Sequence, residues 1–434
     1  MNAGDTAWVL TSAALVLFMT VGLAFFYGGL EPRRNVLHML AMNLFTIAVV
    51  TIVWAVIGFS LAFGPDAGAG LIGNLHYAGL ANMGGVWPGT HIPKLVFMAF
   101  QLMFAIITPA LITGALAGRL KFEAWIGICI GWSLLVYPVI AHWLFDPSGW
   151  IYKLGGRDFA GGAVVHISAG AAALVLVLML GPRTKTAASS YRPHSIPLVM
   201  LGAGILWFGW FGFNAGSALG ANELSANAFV VTQIAAATGF LVWTILERWQ
   251  TGKTTLVGAA TGAIAGLAAI TPAAGYVGPM PALAIGAAAA VVCYLSAKGV
   301  QKIRHFDDSF AVLSTHGAGG AVGMLAVGVF ARYAINPSGL TASNGSHLNG
   351  LVSGHGALLG YQAIAIAAVF AFTVVGTFVV GLVVRATVGL RATTEQEELT
   401  GLNLAFDEDA GEQDESANLS VSSLMPDGGV GGPP

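Results

Sequence analysis

Residues 36 to 63 read VLHMLAMNLFTIAVVTIVWAVIGFSLAF, a run of 28 positions with one histidine and no formally charged side chain. That is well past the roughly 18 apolar residues needed to cross a bilayer as a helix. Lipid offers backbone amides no hydrogen-bond partner, so an uninterrupted apolar run of this length is a helix. A barrel strand would instead alternate apolar and polar positions over about ten residues. Comparable runs recur along the 434-residue chain, and only 9% of its residues are charged. The chain reads as an all-α membrane protein that crosses the bilayer many times.

A pass along the chain gives eleven expected transmembrane helices, near 7–29, 36–63, 94–118, 122–145, 161–181, 196–217, 226–247, 254–274, 278–298, 309–333 and 352–386. The opening MNAGDTAWVL carries no basic leader region, so the helix from Ala7 is expected to be retained. Lys and Arg then set the orientation. With the N-terminus outside, the inner segments hold Arg33, Arg34, Arg119, Lys121, Arg183, Lys185, Arg192, Arg248, Lys253, Lys298, Lys302, Arg304, Arg385 and Arg391, fourteen in all. Lys94, Lys153, Arg157 and Arg332 remain for the outer side, and this fourteen-to-four split puts the N-terminus outside and the C-terminus in the cytoplasm.

The net charge of −2 says nothing of partners, and nucleic acid is not expected. Cys129 and Cys293 both lie inside apolar runs and read as small core residues, with no metal site implied. Residues 1–392 form the membrane domain. From 393 to 434 the chain is acidic and polar and ends in Gly and Pro, which reads as a cytoplasmic tail, partly disordered. Residues 64–93, Gly-rich and nearly uncharged, read as a loop over a vestibule with no assignable chemistry.

One phrase occurs twice. Asp158 stands eight residues before His166 in DFAGGAVVHISAG, and Asp308 stands eight before His316, which opens HGAGGAVG. The copies fall in the fifth and tenth spans, so five crossings separate them and they run in opposite directions. This implies an inverted five-helix repeat plus one, with repeats near 7–181 and 196–333 and the extra helix at 352–386. Eight residues carry each histidine roughly 12 Å inward from opposite faces, so both imidazoles approach the centre of a core about 30 Å thick. Small residues beside them, Ser168, Ala169, Gly170, Gly317, Ala318 and Gly319, let the helices pack closely. A lone membrane histidine is commonly a buried neutral ring bonded to a carbonyl. Two at equivalent positions of a repeat point to function. Asp158, Asp307 and Asp308 stand at helix starts and read first as caps, although Asp158 can also hold a site together electrostatically.

Aromatic residues surround this region. Phe100 and Phe104 share a helix face, Trp210, Phe211 and Phe213 crowd the sixth span, and Ser217 lies one turn beyond Phe213. Trp210 and Phe211 read as packing before pore. A hydroxyl above a ring above a histidine pair makes an ordered path, in which a small cation loses water at aromatic faces and passes a dry constriction once neutral.

Together FYGGL, FQLMFAIITPALITGALAGRLKF, DFAGGAVVHISAG, GWFGFNAGSA and HGAGGAVG, in that order over nearly all of residues 7–400, resemble the ammonium transporter family, which includes methylammonium permeases and is related to Rhesus proteins. The resemblance implies a non-enzymatic homotrimer in the plasma membrane, needing no cofactor, with one pore per subunit. Carried over by motif, it implies that Phe104 and Ser217 bind ammonium or methylammonium outside, with Asp158 stabilising that site. It makes Phe104 and Phe213 a gate, and His166 and His316 the pore and proton relay. Thr271, with Phe100 and Trp210, is expected beside the pore. A PII-type signal protein at the cytoplasmic face is the partner the family suggests. Three departures stand out. Phe145 occupies the outer-site position where the family usually has tryptophan, with Trp143 two residues earlier; Ala311 replaces a frequent aspartate; and the tail lacks a common His-Gly-Glu stretch. Two rival readings are an ammonium sensor with little flux and a Rhesus-like channel for another small neutral gas. An intramembrane metalloenzyme is disfavoured, because there is no HExxH and neither histidine has a ligand partner at i+4.

Overall fold

The computed structural model describes residues 1–184 and 192–403. The last part of the expected tail, from 404 on, lies outside them. Among the described residues ten helices are long and apolar enough to cross a membrane. They are α1 (Ala3–Leu30), α2 (Arg33–Phe63), α3 (Lys94–Leu116), α4 (Phe122–Leu154), α5 (Gly162–Leu180), α6 (Ile196–Gly216), α7 (Glu223–Thr251), α9 (Pro279–Val300), α10 (Leu313–Phe330) and α11 (Ala357–Thr387). Between α7 and α9 lies a shorter apolar helix, α8 (Leu256–Ile270), of 15 residues. At about 1.5 Å per residue it spans roughly 22 Å, less than the hydrocarbon core. Its length is freed from the lipid because every residue from Gly262 to Ile270 is buried in protein.

Helix α4 is broken at Val136, after which Tyr137–Phe145 continues with Pro138 in its first turn. Proline lacks an N–H and crowds the preceding turn, so it bends the helix there. One end of the bundle carries residues 64–93 and 333–356 and is called the loop face. The other collects Arg33, Arg34, Arg119, Lys121, Arg183 and Arg391 and is called the basic face.

Two of the helix pairs that meet backbone to backbone each join a helix with the one five later. Where α1 crosses α6, a Cβ on Gly202 would fall 2.2 Å from Phe26 N. Where α5 crosses α10, a Cβ on Gly170 would fall 2.5 Å from Gly317 Cα. Neither backbone can step aside cheaply, so only glycine permits the contact. Gly170→Val is expected to lower the melting temperature in detergent more than Gly170→Ala does, since overpacking costs about 1–3 kcal/mol and grows with the inserted volume. Equal melting of both variants and the parent would show that the crossing is not tight.

Both histidine helices open on a wide π-turn, Gly162–Ile167 in α5 and Leu313–Ala318 at the start of α10. The His166 N–H reaches back five residues to Gly161 O at 3.0 Å. Such insertions displace side chains from the regular helical positions and are frequent at functional sites.

The chain after α11 folds back on the basic face. Glu397 is buried, bound by Arg391 at 2.7 Å, and accepts the Thr184 N–H at 3.0 Å. The Leu402 N–H donates to Asn35 Oδ1 at 3.0 Å. The beginning of the stretch read from sequence as an acidic tail is thus held against the basic face at Glu397 and Leu402, because its acidic side chain finds a guanidinium partner.

Candidate functional site

Asp158 sits in the turn before α5 and is 5% exposed. Its Oδ1 accepts the N–H groups of Gly161 at 2.8 Å and Gly162 at 2.7 Å, and its Oδ2 those of Ala163 at 2.8 Å and Val164 at 3.1 Å. Gly161 has φ +116°, a backbone conformation that suits glycine and turns the chain into this cap. Asp308 does the same for α10, taking Val312 N–H at 2.9 Å and Leu313 N–H at 2.8 Å. Half-buried at a cavity wall, its carboxyl is pushed by desolvation up to about 6, against the pull of the Leu313 and Val312 donors and of Arg119, with Asp307 adding to the rise. Asp307 is not the cap the sequence suggested. Neighbouring side chains point apart, and Asp307 instead holds Arg119 at 3.3 Å and Arg183 at 3.2 Å.

The caps set the start of each helix and thereby the depth of each histidine. His166 Nδ1 and His316 Nδ1 lie 3.3 Å apart, with ring centroids 5.2 Å apart and planes inclined by 24°. Both are buried, at 1% and 4% exposed. A 3.3 Å contact between two ring nitrogens needs one proton between them, so one Nδ1 donates and the other accepts. In a neutral pair the donor's Nε2 is then a free acceptor, and the acceptor's Nε2 carries the other proton. The roles exchange when a proton is gained at the donor's free Nε2, the shared proton crosses to the other Nδ1, and the acceptor's Nε2 gives up its own proton. His166 Nε2 is buried with no hydrogen-bond partner among the described residues.

Aromatic rings stack onto this pair. Phe213 lies 6.0 Å from His166 at 20°, and Phe104 lies 4.3 Å from Phe213. Phe100 touches Phe104 edge-on at 4.9 Å. Trp210, read from sequence first as packing, stands 5.5 Å from His166. Its indole N–H donates to Thr271 Oγ1 at 2.8 Å, and that hydroxyl donates to Leu267 O at 2.7 Å, so Thr271 reaches the histidine only through Trp210. Phe211 stacks on Phe229 and takes no part.

Two cavities end at this stack. The one on the loop face, about 510 Å³, is walled by Phe100, Phe104, Phe145, Asp158 and Ser217 among others. The one on the basic face, about 320 Å³, reaches His316, Trp210 and Asp308. Phe213 and His166 line neither and form the partition between them. The Ser217 hydroxyl donates to Phe213 O at 2.8 Å, leaving its lone pairs to the cavity.

Phe145 stands 6.4 Å from Phe104, edge to face. Trp143 is turned elsewhere: its indole N–H donates to Leu71 O at 2.9 Å and its ring packs on Phe372 at 4.8 Å. Ala311, the other departure, has φ +57° and lines the basic-face cavity. Sequence reasoning missed Trp87, Thr90, His91 and Gln101, all of which wall the loop-face cavity. For the first three no signal was present, since residues 64–93 have no helical period. Gln101 left a trace, as an amide within the apolar face 97, 100, 101, 104 of α3.

The family model described as Ammonium Transporter Family matches residues 7–410. An "Ammonium transporter" of Mycobacterium bovis is 45% identical over 94% of this chain and 90% of its own length. Among solved structures, Saccharomyces cerevisiae Mep2 superposes with a TM-score of 0.84 at 33% identity, covering 91% of each chain. A "Sensor Amt Protein" superposes with a TM-score of 0.83 at 29% identity, covering 93% of this chain and 98% of its own.

Proposed function

Proceeding from the ammonium transporter family, to which this chain belongs, we propose that it conducts ammonium by recruiting the cation at the loop-face cavity, deprotonating it, and passing ammonia and a proton separately along His166 and His316. The observation that carries this reading is the imidazole pair, 3.3 Å apart, set between two cavities behind a double phenylalanine partition. Phe104, Phe145 and Ser217 bind the cation through ring faces and a hydroxyl acceptor. Phe104 and Phe213 are the gate that strips water from it. Asp158 contributes by building the wall and by its charge, and Phe100, Trp210 and Thr271 hold the rings in place.

The topology belongs to the same proposal. All eleven helices cross the membrane, α8 included, in two inverted five-helix repeats and one extra helix. The loop face is outside and the basic face cytoplasmic, as the Lys and Arg split argues. The protein works in the plasma membrane as a homotrimer whose basic face receives a PII-type signal protein.

Reconstitution into liposomes containing this polypeptide alone tests the reading. An ammonium gradient is expected to evoke a current, and methylammonium a smaller one. Absence of flux with either would favour a sensor, the reading that the likeness to a "Sensor Amt Protein" suggests. Flux without charge movement would favour a Rhesus-like conduit for a neutral gas. Phe145 supplies a weaker cation–π face than an indole, a difference of about 1 kcal/mol. Phe145→Trp is therefore expected to lower the half-saturating ammonium concentration about fivefold. Unchanged uptake at limiting ammonium would remove Phe145 from the binding site.

A further inference from the structure

Gln101 is 8% exposed on α3, on the same face as Phe97, Phe100 and Phe104, and it walls the loop-face cavity with them. Its Oε1 is buried and has no hydrogen-bond partner among the described residues. An amide carbonyl left unpaired inside protein is costly, and an apolar side chain of the same shape would avoid that cost. Two of the polar groups around it are already committed. Both oxygens of Asp158 are taken by backbone N–H groups, and the Ser217 proton is taken by Phe213 O. Among the polar residues that line the cavity, which include Thr90, His91 and Asn222, the hydroxyl acceptor of Ser217 and the amide of Gln101 stand on two different helices with the Phe104 ring in the same wall.

We propose that Gln101 is a further substrate-binding residue, whose amide oxygen accepts an N–H of the ammonium cation and sharpens selection of ammonium over methylammonium. The proposal rests on the transport reading above. The two ends of a carboxamide have nearly the same shape, so half a turn about its last bond puts oxygen where nitrogen was. A cation with N–H donors selects the orientation with oxygen toward the cavity, through a charge-assisted bond. Ammonium has four N–H groups and methylammonium three, with a methyl in the fourth direction. Ring faces tolerate the methyl; an acceptor on the far side does not. An acceptor in the fourth direction, with the other N–H groups engaged by Ser217 and cavity water, therefore favours ammonium.

The test compares Gln101→Met, close in shape but with no amide, and Gln101→Glu, which keeps an acceptor oxygen, with the parent chain in the same liposomes. For Gln101→Met the half-saturating ammonium concentration is expected to rise about tenfold and that of methylammonium less than twofold. Gln101→Glu is expected to keep the parent's preference for ammonium. Equal shifts for the two substrates, or no shift, in a Gln101→Met protein that transports would overturn the proposal and leave the transport reading intact. Loss of the preference in Gln101→Glu would overturn it as well, including where Gln101→Met fails to fold. A parent chain that moves neither substrate would overturn the transport reading, and this proposal with it.

Discussion

With both His166 and His316 replaced by leucine, ammonium-evoked current in liposomes is expected to fall at least a hundredfold while the protein still elutes as a folded species. The two imidazoles join Phe213 to the basic-face cavity in the observed stack. They share one proton across 3.3 Å and keep one acceptor and one donor at the Nε2 positions. Leucines of similar bulk leave a passage that ammonia can still dissolve into, but no group that can pass a proton. The intact cation would then have to cross a dry apolar constriction, at a cost of several kcal/mol even by the mildest estimates for a charge in a bilayer. At 1.4 kcal/mol per tenfold, even about 3 kcal/mol accounts for a hundredfold. A single replacement leaves one ring and a polar wall that admits water, so it is expected to reduce current less than the double one. Current in the double variant equal to the parent's would exclude the relay, whatever the rings' geometry.

The second large effect is expected at Asp158. Asp158→Ala removes the acceptor of four backbone N–H groups at once. An unpaired buried donor costs about 1–3 kcal/mol, so even with cavity water satisfying two of the four the loss is several kcal/mol. The π-turn that aims His166 begins at these N–H groups. The variant is therefore expected to melt well below the parent and to lose transport by tenfold or more. Asp158→Asn separates a structural from a purely electrostatic role. Its amide keeps one acceptor oxygen and points an NH₂ group at donors, so as a cap it fails nearly as badly as alanine. If Asp158 acted only by attracting the cation, Asn would weaken uptake and leave the melting temperature in place. That result would contradict the capping account.

Comparison of particular residues shows which parts of this arrangement could be read from the chain. The repeated Asp and His spacing was enough to expect both imidazoles at one level of the bundle, where they lie 3.3 Å apart, because rise per residue is a local quantity that multiplies reliably. The aromatic positions Phe104 and Phe213 were legible as ring-bearing faces, and they meet at 4.3 Å. Asp307 was not legible: its partners Arg119 and Arg183 are 188 and 124 residues away, and adjacent carboxylates look alike in sequence. Trp143 and Phe145 could be distinguished only by direction, since one points to Leu71 and Phe372 and the other into the cavity. Gln101 was passed over because a polar residue within an apolar helix gives no sign of whether a partner awaits it.

The sequence by itself determined the runs long enough to become helices, the two identical spacings that set histidine depth, and the segregation of Lys and Arg to alternate connections. All of these are properties of short stretches, governed by apolar length, backbone capping and charge. Only the tertiary structure decided which faces those helices turn to one another. Gly170 against Gly317 brings α5 and α10 into backbone contact, and the π-turns at that crossing, one just before Gly170 and one containing Gly317, shift both rings out of regular helical position. Whether two imidazoles 150 residues apart share a proton therefore depends on how closely two backbones approach, which no local pattern encodes.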